Sequence, residues 1–336
     1  MKKYFFYFVF FIFIVILSMY YLDSNSNYIQ YMMKMGDDSR PIEVIYDEKT
    51  VSENFGFGIY NSPNLTDGMQ RSQYLNPGSN FSGWLSIANA MYDSNQYMVF
   101  ALLDYKQQRF FFNNQTDKLH LVNLSKFEEK FYYFQINNIS EGFHDIAIIL
   151  VLTSYEHSLN KDYRYSTDMG RMGDRRLNLF VGDVNDTNDT RIRYTECDVS
   201  CQSSYVLNGL LVNKEPCSPK AWFFDDVVAG DELDYFVNVG NDDETLRTFA
   251  LMVFLDYKQI PLNLNSDEKL TIFGKLRQGE KISYHANLTL PDEEGVHELM
   301  IVWILDPYEK METSPGVRAK INTRVEPSIR IGLNVS

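Results

Sequence analysis

Cysteine, tryptophan, histidine and positive charge are all scarce in this sequence of 336 residues. It contains three Cys, three Trp and five His, and 31 Lys and Arg stand against 45 Asp and Glu. The formal net charge of −14 would repel a phosphate backbone, so we expect no nucleic acid partner. The chain also lacks a Gly-x-Ser-x-Gly nucleophile motif, recognisably paired carboxylates and metal-ligand spacing. We therefore expect a protein that is not an enzyme and holds no cofactor.

Apolar residues, by contrast, are plentiful. Hydrophobic residues make up 45% of the chain and aromatic residues 15%. A chain of this length and composition can bury two ordinary cores, each formed by about 100 to 150 residues.

The N-terminus carries a long uncharged run. Lys2 and Lys3 precede residues 4–22, which as a helix would span about 28 Å and nearly cross a hydrocarbon core. We expect residues 1–3 in the cytoplasm, a transmembrane anchor at 4–22, and a juxtamembrane linker at 23–44 on the outer side of the cell membrane. A cleavable signal peptide is the alternative. The bulky residues at the end of the run, where a signal peptidase requires small ones, favour the uncleaved anchor.

Asn-x-Ser/Thr sequons are the second indication of an extracytoplasmic location. Nine are present where chance predicts roughly three, and they begin at Asn64, Asn80, Asn114, Asn123, Asn138, Asn185, Asn188, Asn287 and Asn334. They predict a glycoprotein. The alternative is an Asn-rich chain from an organism that does not glycosylate.

The three cysteines, Cys197, Cys201 and Cys217, lie within 21 residues of one another. Outside the cytoplasm, two of them are expected to form a disulfide, with the pairing left open by the spacing. A zinc site is the weaker alternative, because no histidine lies in this stretch to serve as a fourth ligand.

The chain repeats itself at an offset of 152 residues. Residues 78–107 match 230–259 without a gap, including Leu-Asp-Tyr-Lys-Gln at 103–107 and again at 255–259. One inserted residue then aligns Glu-Gly-Phe-His at 141–144 with Glu-Gly-Val-His at 294–297. The self-match predicts two copies of one domain.

Within each copy the hydrophobic pattern is that of β-strands. Residues 97–103 and 249–255 are continuous apolar runs that suit a central strand buried on both faces. Further strands are expected at 131–136, 146–152 and 176–181, and in the second copy at 282–290, 299–305 and 317–325 or 328–335.

Strands at this spacing, with turn residues between them, predict an all-β protein with two tandem Ig-like antiparallel β-sandwich domains of about seven strands each. The expected bounds are residues 45–184 for the first sandwich, 185–202 for a linker and 203–336 for the second.

The second copy resembles a known family. Residues 231–241, an apolar strand, Gly279-Glu280 and Glu294-Gly295-Val296-His297 look like the cell-adhesion-related, CARDB-type Ig-like domains of prokaryotic surface proteins. About 100 residues of each copy are covered. The first copy departs from the pattern, with Ala88-Asn89 at the turn and Phe127-Glu128 in place of Gly-Glu. The resemblance implies a display or adhesion module.

Asp104 and Lys106, repeated as Asp256 and Lys258, end the central strands. Period-two alternation would put Asp and Lys on one face and the intervening Tyr on the other. They form either a duplicated ligand platform or, as we favour, a structural ion pair. His144 and His297 occupy equivalent places and are expected to be structural rather than catalytic.

Two weaker site hypotheses remain. Asp183, Asn185, Asp186 and Asp189 supply oxygen donors at short spacing, which suits a calcium site in the linker, whereas a solvated linker is the favoured alternative. Trp84, Trp222 and Trp303 are expected to fill cores. Trp222, beside Phe223 and Phe224, is the one considered as an exposed platform for sugar stacking.

Together these features predict a non-enzymatic protein held in the membrane by a single pass, with a binding, adhesion or structural role through two Ig-like domains. The expected partners are proteins or envelope polysaccharide. The alternative is a glycan-binding envelope protein or an accessory subunit of an envelope enzyme or sensor complex.

Overall fold

In the part of the chain that the structure describes, alternating and continuous apolar runs form 25 β-strands. A computed structural model of the protein describes residues 44–45, 54–63, 69–153, 158–160, 164, 172–184, 191–202, 205–242, 245–264, 267–311 and 325–336. The anchor expected at 4–22 and most of the linker expected at 23–44 lie outside these residues. In the described part of the chain, no helix is long and apolar enough to cross a membrane.

The first sandwich has two sheets of six strands. Outer sheet 1 has the order β2-β4-β10-β7-β8, with β1 also paired to β10, and inner sheet 1 has the order β3-β12-β11-β5-β6, with β9 also paired to β5. The strands are β1 (Val44–Ile45), β2 (Asn54–Tyr60), β3 (Ser72–Leu75), β4 (Phe81–Ala90), β5 (Asn95–Leu103), β6 (Lys106–Gln108), β7 (Phe110–Phe112), β8 (Gln115–Asp117), β9 (His120–Leu124), β10 (Glu128–Ile136), β11 (Gly142–Leu152) and β12 (Met172–Val181).

The second sandwich repeats this arrangement. Inner sheet 2 has the order β15-β25-β23-β17-β18, with β21 on β17 and β24 on β23, and outer sheet 2 has the order β14-β16-β22-β19-β20, with β13 on β22. The strands are β13 (Val199–Ser200), β14 (Gly209–Asn213), β15 (Phe224–Val227), β16 (Glu232–Gly240), β17 (Arg247–Leu255), β18 (Lys258–Ile260), β19 (Leu262–Leu264), β20 (Asp267–Lys269), β21 (Ile272–Leu276), β22 (Lys281–Thr289), β23 (Gly295–Leu305), β24 (Val325–Pro327) and β25 (Ile331–Val335).

Apart from β24, the two copies match strand for strand, so the all-β fold and the internal repeat predicted from the sequence are both present. Each copy has more strands than the predicted seven, because the hairpins after the central strand add short strands to both sheets. The sandwiches are also not purely antiparallel, since β3 pairs with β12, and β15 with β25, in parallel.

The repeat extends to buried polar side chains. Asn89 and its counterpart Asn241 are both fully buried. The Asn89 amide donates to the carbonyls of Asp93 and Leu124, and the Asn241 amide donates to those of Thr245 and Leu276 at the equivalent positions. Because a buried amide must find partners, each asparagine ties a turn to the end of a neighbouring strand.

The linker predicted at 185–202 is only partly a linker. Val199 and Ser200 form β13 and pair with Ser283 and Ile282 of the second sandwich. Tyr194 also makes an isolated bridge with Phe273. These residues therefore belong to the second sandwich, because their backbone groups pair with strands of both of its sheets.

Each sandwich has its own core, and a third apolar core lies between them. The first two contain the inward residues of the facing sheets, such as Leu85 and Ile148 in the first sandwich and Val237 and Ile301 in the second. The third core joins inner sheet 1 to inner sheet 2 and includes Phe100, Leu102, Ile149, Met252, Phe254 and Val302.

This interdomain core explains the continuous apolar runs at 97–103 and 249–255. Alternate residues of β5 face the core of the first sandwich, and the residues between them face the second sandwich. The strands are buried on both faces, as predicted, but only because two sandwiches pack face to face.

Candidate functional site

The repeated Asp-Tyr pair forms the turn of a tight hairpin rather than the end of a strand. Asp104 and Tyr105 have φ angles of 50° and 64°, and Asp256 and Tyr257 have φ angles of 49° and 62°. Positive φ at both central residues is the geometry of a two-residue hairpin turn that matches the strand twist. The alternation used to predict a shared face for Asp104 and Lys106 therefore does not apply, because the strand ends at Leu103.

The partner of the turn aspartate is a histidine, not the lysine. Asp104 Oδ2 lies 2.7 Å from His144 Nδ1, and Asp104 Oδ1 accepts a hydrogen bond from the Asp145 amide at 3.1 Å. Arg191 donates to the same carboxylate at 3.2 Å. Lys106 and Lys258 are exposed. The proposed Asp and Lys platform is thus not assembled in the first copy.

The second copy has the same arrangement. Asp256 Oδ2 lies 2.7 Å from His297 Nδ1, and Asp256 Oδ1 accepts from the Glu298 amide at 2.9 Å. The aspartate of each turn therefore fastens a hairpin to the start of the next long strand, β11 or β23.

The contacts of both histidines stabilise the protonated imidazole relative to a free one. His144 Nε2 lies 2.9 Å from the Ser140 carbonyl, so both ring nitrogens face oxygen acceptors, as they do in His297 through the Glu293 carbonyl. Burial alone lowers the pKa of each imidazole. The hydrogen bond and charge of Asp104 or Asp256 outweigh that effect, and the pKa of each histidine is raised.

The tyrosine of the first turn enters a buried ion network in the seam between the sandwiches. Tyr105 donates to Asp145 Oδ2 at 2.5 Å, and Arg176 Nε donates to Asp145 Oδ1 at 2.9 Å. The side chains of Asp145 and Arg176 are 1% and 0% exposed. Burial, followed by the Asp145 charge, raises the pKa of Tyr105 well above its usual value.

This network binds the second sandwich directly. Arg176 Nη1 donates to the Leu305 carbonyl, and Arg176 Nη2 donates to the Asp306 carbonyl at 2.8 Å. The Tyr308 amide donates to the Tyr105 hydroxyl at 2.8 Å. One arginine thus satisfies a carboxylate in its own sandwich and two backbone carbonyls in the other.

The equivalent positions of the second copy carry a related network with a different connection. Arg330 donates to the Tyr257 hydroxyl at 2.8 Å. Glu298 pairs with Arg164, which comes from the β11–β12 connection of the first sandwich and donates at 3.0 and 2.9 Å. The Arg164 guanidinium lies over Gly332, where an added Cβ would come within 2.3 Å of it.

At the interface between the sandwiches, two equivalent glutamines each hydrogen-bond to residues of the other sandwich. The backbone N–H of Gln107 donates to Gln259 Oε1 at 2.7 Å, and the backbone N–H of Gln259 donates to Gln107 Oε1 at 2.9 Å. Their side-chain amides donate to the carbonyls of Tyr257 and Tyr105. Reciprocal contacts between equivalent residues are those of a two-fold interface, formed here within one chain.

The polar side chains of this interface join the two sandwiches. Its carboxylates, guanidinium groups and tyrosines bind each other or backbone carbonyls, and the described residues hold no group of three or more metal-ligating side chains. A buried, hydrogen-bonded ion network of this kind holds surfaces in a single register.

The cysteine prediction is now resolved. Cys201 and Cys217 form a disulfide, and Cys197 is a half-buried free thiol whose pKa is raised by burial. The Cys217 amide donates to Asn238 Oδ1, and Asn238 in turn donates to Asn213. The disulfide therefore joins β13 to the loop after β14 above outer sheet 2.

The predicted calcium and glycosylation sites lie partly outside the described residues. Of the calcium candidates, Asp183 is exposed, and Asn185, Asp186 and Asp189 lie outside the described residues, as do the sequons at Asn64 and Asn188. Asn287 and Asn334 are half-buried, and the four remaining sequon asparagines are exposed, namely Asn80, Asn114, Asn123 and Asn138.

The burial of Trp222 contradicts the hypothesis that it forms an exposed platform for sugar stacking. It is 8% exposed and packs in the core of the second sandwich, where its ring is not available for stacking. Trp303 is fully buried, as expected. Trp84 does not fill a core, because the inward positions of β4 are those of Leu85 and Ile87, and Trp84 lies on the opposite face.

Sequence reasoning missed the residues that join the sandwiches. Gln107 and Gln259 stood inside the repeated segment, and their identity at equivalent positions was the available signal. Arg164 carried no such signal. Arg176 recurs as Arg330 in the second copy, but nothing in the sequence placed either Arg164 or Arg176 beside its partners more than 100 residues away.

Comparison with known proteins identifies solved structures of low sequence identity. A CARDB domain from Pyrococcus furiosus is 12% identical, with a TM-score of 0.22, and the match covers 44% of this chain and 100% of that one. Fibronectin(III)-like modules of Clostridium thermocellum CbhA are 11% identical, with a TM-score of 0.19 and coverage of 83% and 95%. A chain in a complex of zinc 2-glycoprotein and prolactin-inducible protein from human seminal plasma is 10% identical, with a TM-score of 0.26. That match covers 44% of this chain and 99% of the other.

No family model and no curated protein matches the chain. The assignment to Ig-like sandwiches therefore stands on the sheets and their order.

Proposed function

We propose that this protein is a membrane-anchored surface protein whose two Ig-like sandwiches, held outside the cytoplasm, serve a binding, adhesion or structural role without catalysis. The observation that carries the proposal is the interdomain core together with the reciprocal Gln107 and Gln259 contacts. A duplicated module joined in this way presents its two outer sheets in a fixed relation. Fixed presentation favours binding, because less conformational entropy is lost when a partner docks.

The extracytoplasmic location is supported by several independent features. The uncharged run at 4–22 follows two lysines, and the Cys201–Cys217 disulfide requires an oxidising compartment to persist. Exposed sequon asparagines such as Asn80 and Asn123 would be accessible to glycosylation.

The absence of catalysis is proposed from the roles of two buried side chains whose pKa values are raised, that of Tyr105 chiefly by burial and that of Arg176, despite burial, by the Asp145 charge. Asp145, Arg176 and Tyr105 form a network whose contacts hold two backbones together. Buried ion pairs of this kind perturb pKa values without serving chemistry.

Protease accessibility on intact cells tests the location. With full-length protein in its native host, added protease should degrade the chain while a cytoplasmic control protein survives. Protection of the chain in intact cells, followed by degradation after lysis, would contradict the proposed orientation.

Crosslinking tests the binding role. A membrane-impermeant crosslinker applied to intact cells should give discrete adducts of the full-length chain. A chain recovered entirely without adducts, while another surface protein in the same cells is crosslinked, would contradict a binding role.

A further inference from the structure

The outward face of outer sheet 1 is rich in aromatic residues and poor in charge. In β4 the residues Leu85 and Ile87 point into the core, so Ser82, Trp84 and Ser86 point outward. In β10 the inward residues are Tyr132, Phe134 and Ile136. Their outward neighbours are Phe131, Tyr133 and Gln135.

Four aromatic residues form a row across this face, one on each of four adjacent strands. Tyr60 is the cross-strand partner of Trp84, and Trp84 is the partner of Tyr133. Phe111 on β7 completes the row and is the cross-strand partner of Gln135 on β10. At the usual spacing between strands of about 4.8 Å, three steps make the row about 14 Å long.

Three rings of the row contact one another, and the ring of Tyr60 contacts that of Phe131, with centroids 6.0 Å apart. All four side chains of the row are accessible in part. The centroids of Trp84 and Tyr133 lie 5.6 Å apart, and those of Phe111 and Tyr133 lie 6.0 Å apart. Tyr133 is 36% exposed. Its hydroxyl donates to Gln135 Oε1 at 2.9 Å, which places an amide beside the rings.

This face is nearly free of charge in an acidic protein. A single ionisable carboxylate, that of Glu129, lies among the outward residues of β2, β4, β7 and β10 that the structure describes, and the Ser86 hydroxyl donates to it. The other outward positions are Asn54, Gly56, Gly58, Tyr60, Ser82, Trp84, Ser86, Ala88, Ala90, Phe111, Phe131, Tyr133 and Gln135.

The equivalent face of the second sandwich is built differently. Phe236 and His285 replace Trp84 and Tyr133, and Asp234 pairs with His285 at 3.0 Å. The Cys201–Cys217 disulfide also lies beside that sheet, where the Cys217 amide donates to Asn238 of β16. An uncharged aromatic row is therefore a feature of the first copy, not an inherited consequence of the fold.

We infer that the aromatic row on outer sheet 1, formed by Tyr60, Trp84, Tyr133 and Phe111, binds a neutral polysaccharide chain. Aromatic faces pack against the C–H faces of pyranose rings, and hydroxyl and amide side chains such as Ser82 and Gln135 hydrogen-bond to sugar hydroxyls. The low charge of the face matches a neutral chain, while the net charge of −14 repels an acidic one. This inference rests on the binding role proposed above and assigns its ligand class.

Affinity electrophoresis tests the inference with purified full-length protein in a polyoxyethylene detergent, which carries no sugar headgroup. Native gels would contain a soluble neutral polysaccharide (galactomannan, xyloglucan or lichenan) or the acidic polysaccharide alginate. We expect retardation in at least one neutral gel and none in alginate. Trp84→Ala and Tyr133→Ala should each weaken binding about tenfold, and Tyr133→Phe, which keeps the ring, should weaken it less.

Tyr74→Ala is the matched control, because Tyr74 is 71% exposed and lies on inner sheet 1, away from the row. It should bind like the parent protein. Thermal melting of each variant separates loss of binding from loss of folding, and Tyr133→Phe provides a folded test if an alanine variant unfolds.

Three results would overturn the inference: no retardation in any neutral gel, equal retardation of folded Trp84→Ala and the parent protein, or retardation by alginate alone. The gels do not depend on membrane orientation. A chain that is crosslinked to proteins on intact cells but migrates freely in every gel would refute the ligand assignment and leave the proposed surface role intact.

Discussion

Replacing Arg176 by Met tests whether the buried ion network holds the two sandwiches together. The Arg176 guanidinium donates to Asp145 at 2.9 Å and to the Asp306 carbonyl of the second sandwich at 2.8 Å. Methionine is flexible, apolar and of similar length, so the substitution removes the donors while filling most of the space.

The expected cost follows from what is left behind. The Asp145 side chain, 1% exposed, would keep a buried carboxylate with the Tyr105 hydroxyl and the Tyr308 amide as donors. The carbonyls of Leu305 and Asp306 would lose their shared donor. Removing one partner of a buried ion pair costs about 3 to 5 kcal/mol, a large part of the total stability of an ordinary domain.

Urea unfolding followed by tryptophan fluorescence measures this cost. Trp222 and Trp303 are buried in the second sandwich, so they report its unfolding. Arg175→Met is the matched control, because Arg175 is the exposed neighbour of Arg176, and it should change the free energy of unfolding by less than about 0.5 kcal/mol.

A double variant sharpens the test. Asp145→Leu combined with Arg176→Met removes both charges and should be more stable than Arg176→Met alone, since no carboxylate is left buried without its partner. If Arg176→Met unfolds at the same urea concentration as Arg175→Met, the network does not stabilise the seam and the reasoning fails.

Three further predictions concern other contacts. Gln107→Ala should lower the free energy of unfolding by about 1 to 3 kcal/mol, because it leaves buried backbone groups of the second sandwich without partners, and an unchanged urea midpoint would contradict this. Cys201→Ser should cost about 3 kcal/mol through loss of the disulfide, whereas Cys197→Ser should cost less than about 1 kcal/mol; equal urea midpoints for these two variants would refute the difference. Because the pKa values of His144 and His297 are raised in the folded state, their stabilisation is complete below the ordinary histidine pKa and is lost as the pH rises through the folded-state pKa. Melting temperatures at about pH 5.5 and 8.5 should therefore differ less in a His144→Asn, His297→Asn double variant than in the parent, and an equal difference would argue against the ion pairs.

The sequence alone determined the features that depend on neighbouring residues and on the repeat. Apolar runs such as 97–103 and 146–152 specify strands because side chains alternate across a sheet, and the 152-residue self-match specified two copies without reference to any other protein. The grouping of three cysteines also indicated a local disulfide, although not which two would pair.

Only the tertiary structure decided which faces meet. Both faces of a strand such as β5 are apolar, and the sequence does not reveal that one of them packs against a second sandwich. Asp104 finds His144 rather than Lys106, because the chain reverses at a hairpin turn set by two positive φ angles. Trp84, which was expected in a core, lies on the outward face of its sheet, because whether a side chain points inward depends on strand register and a shift of one residue reverses it.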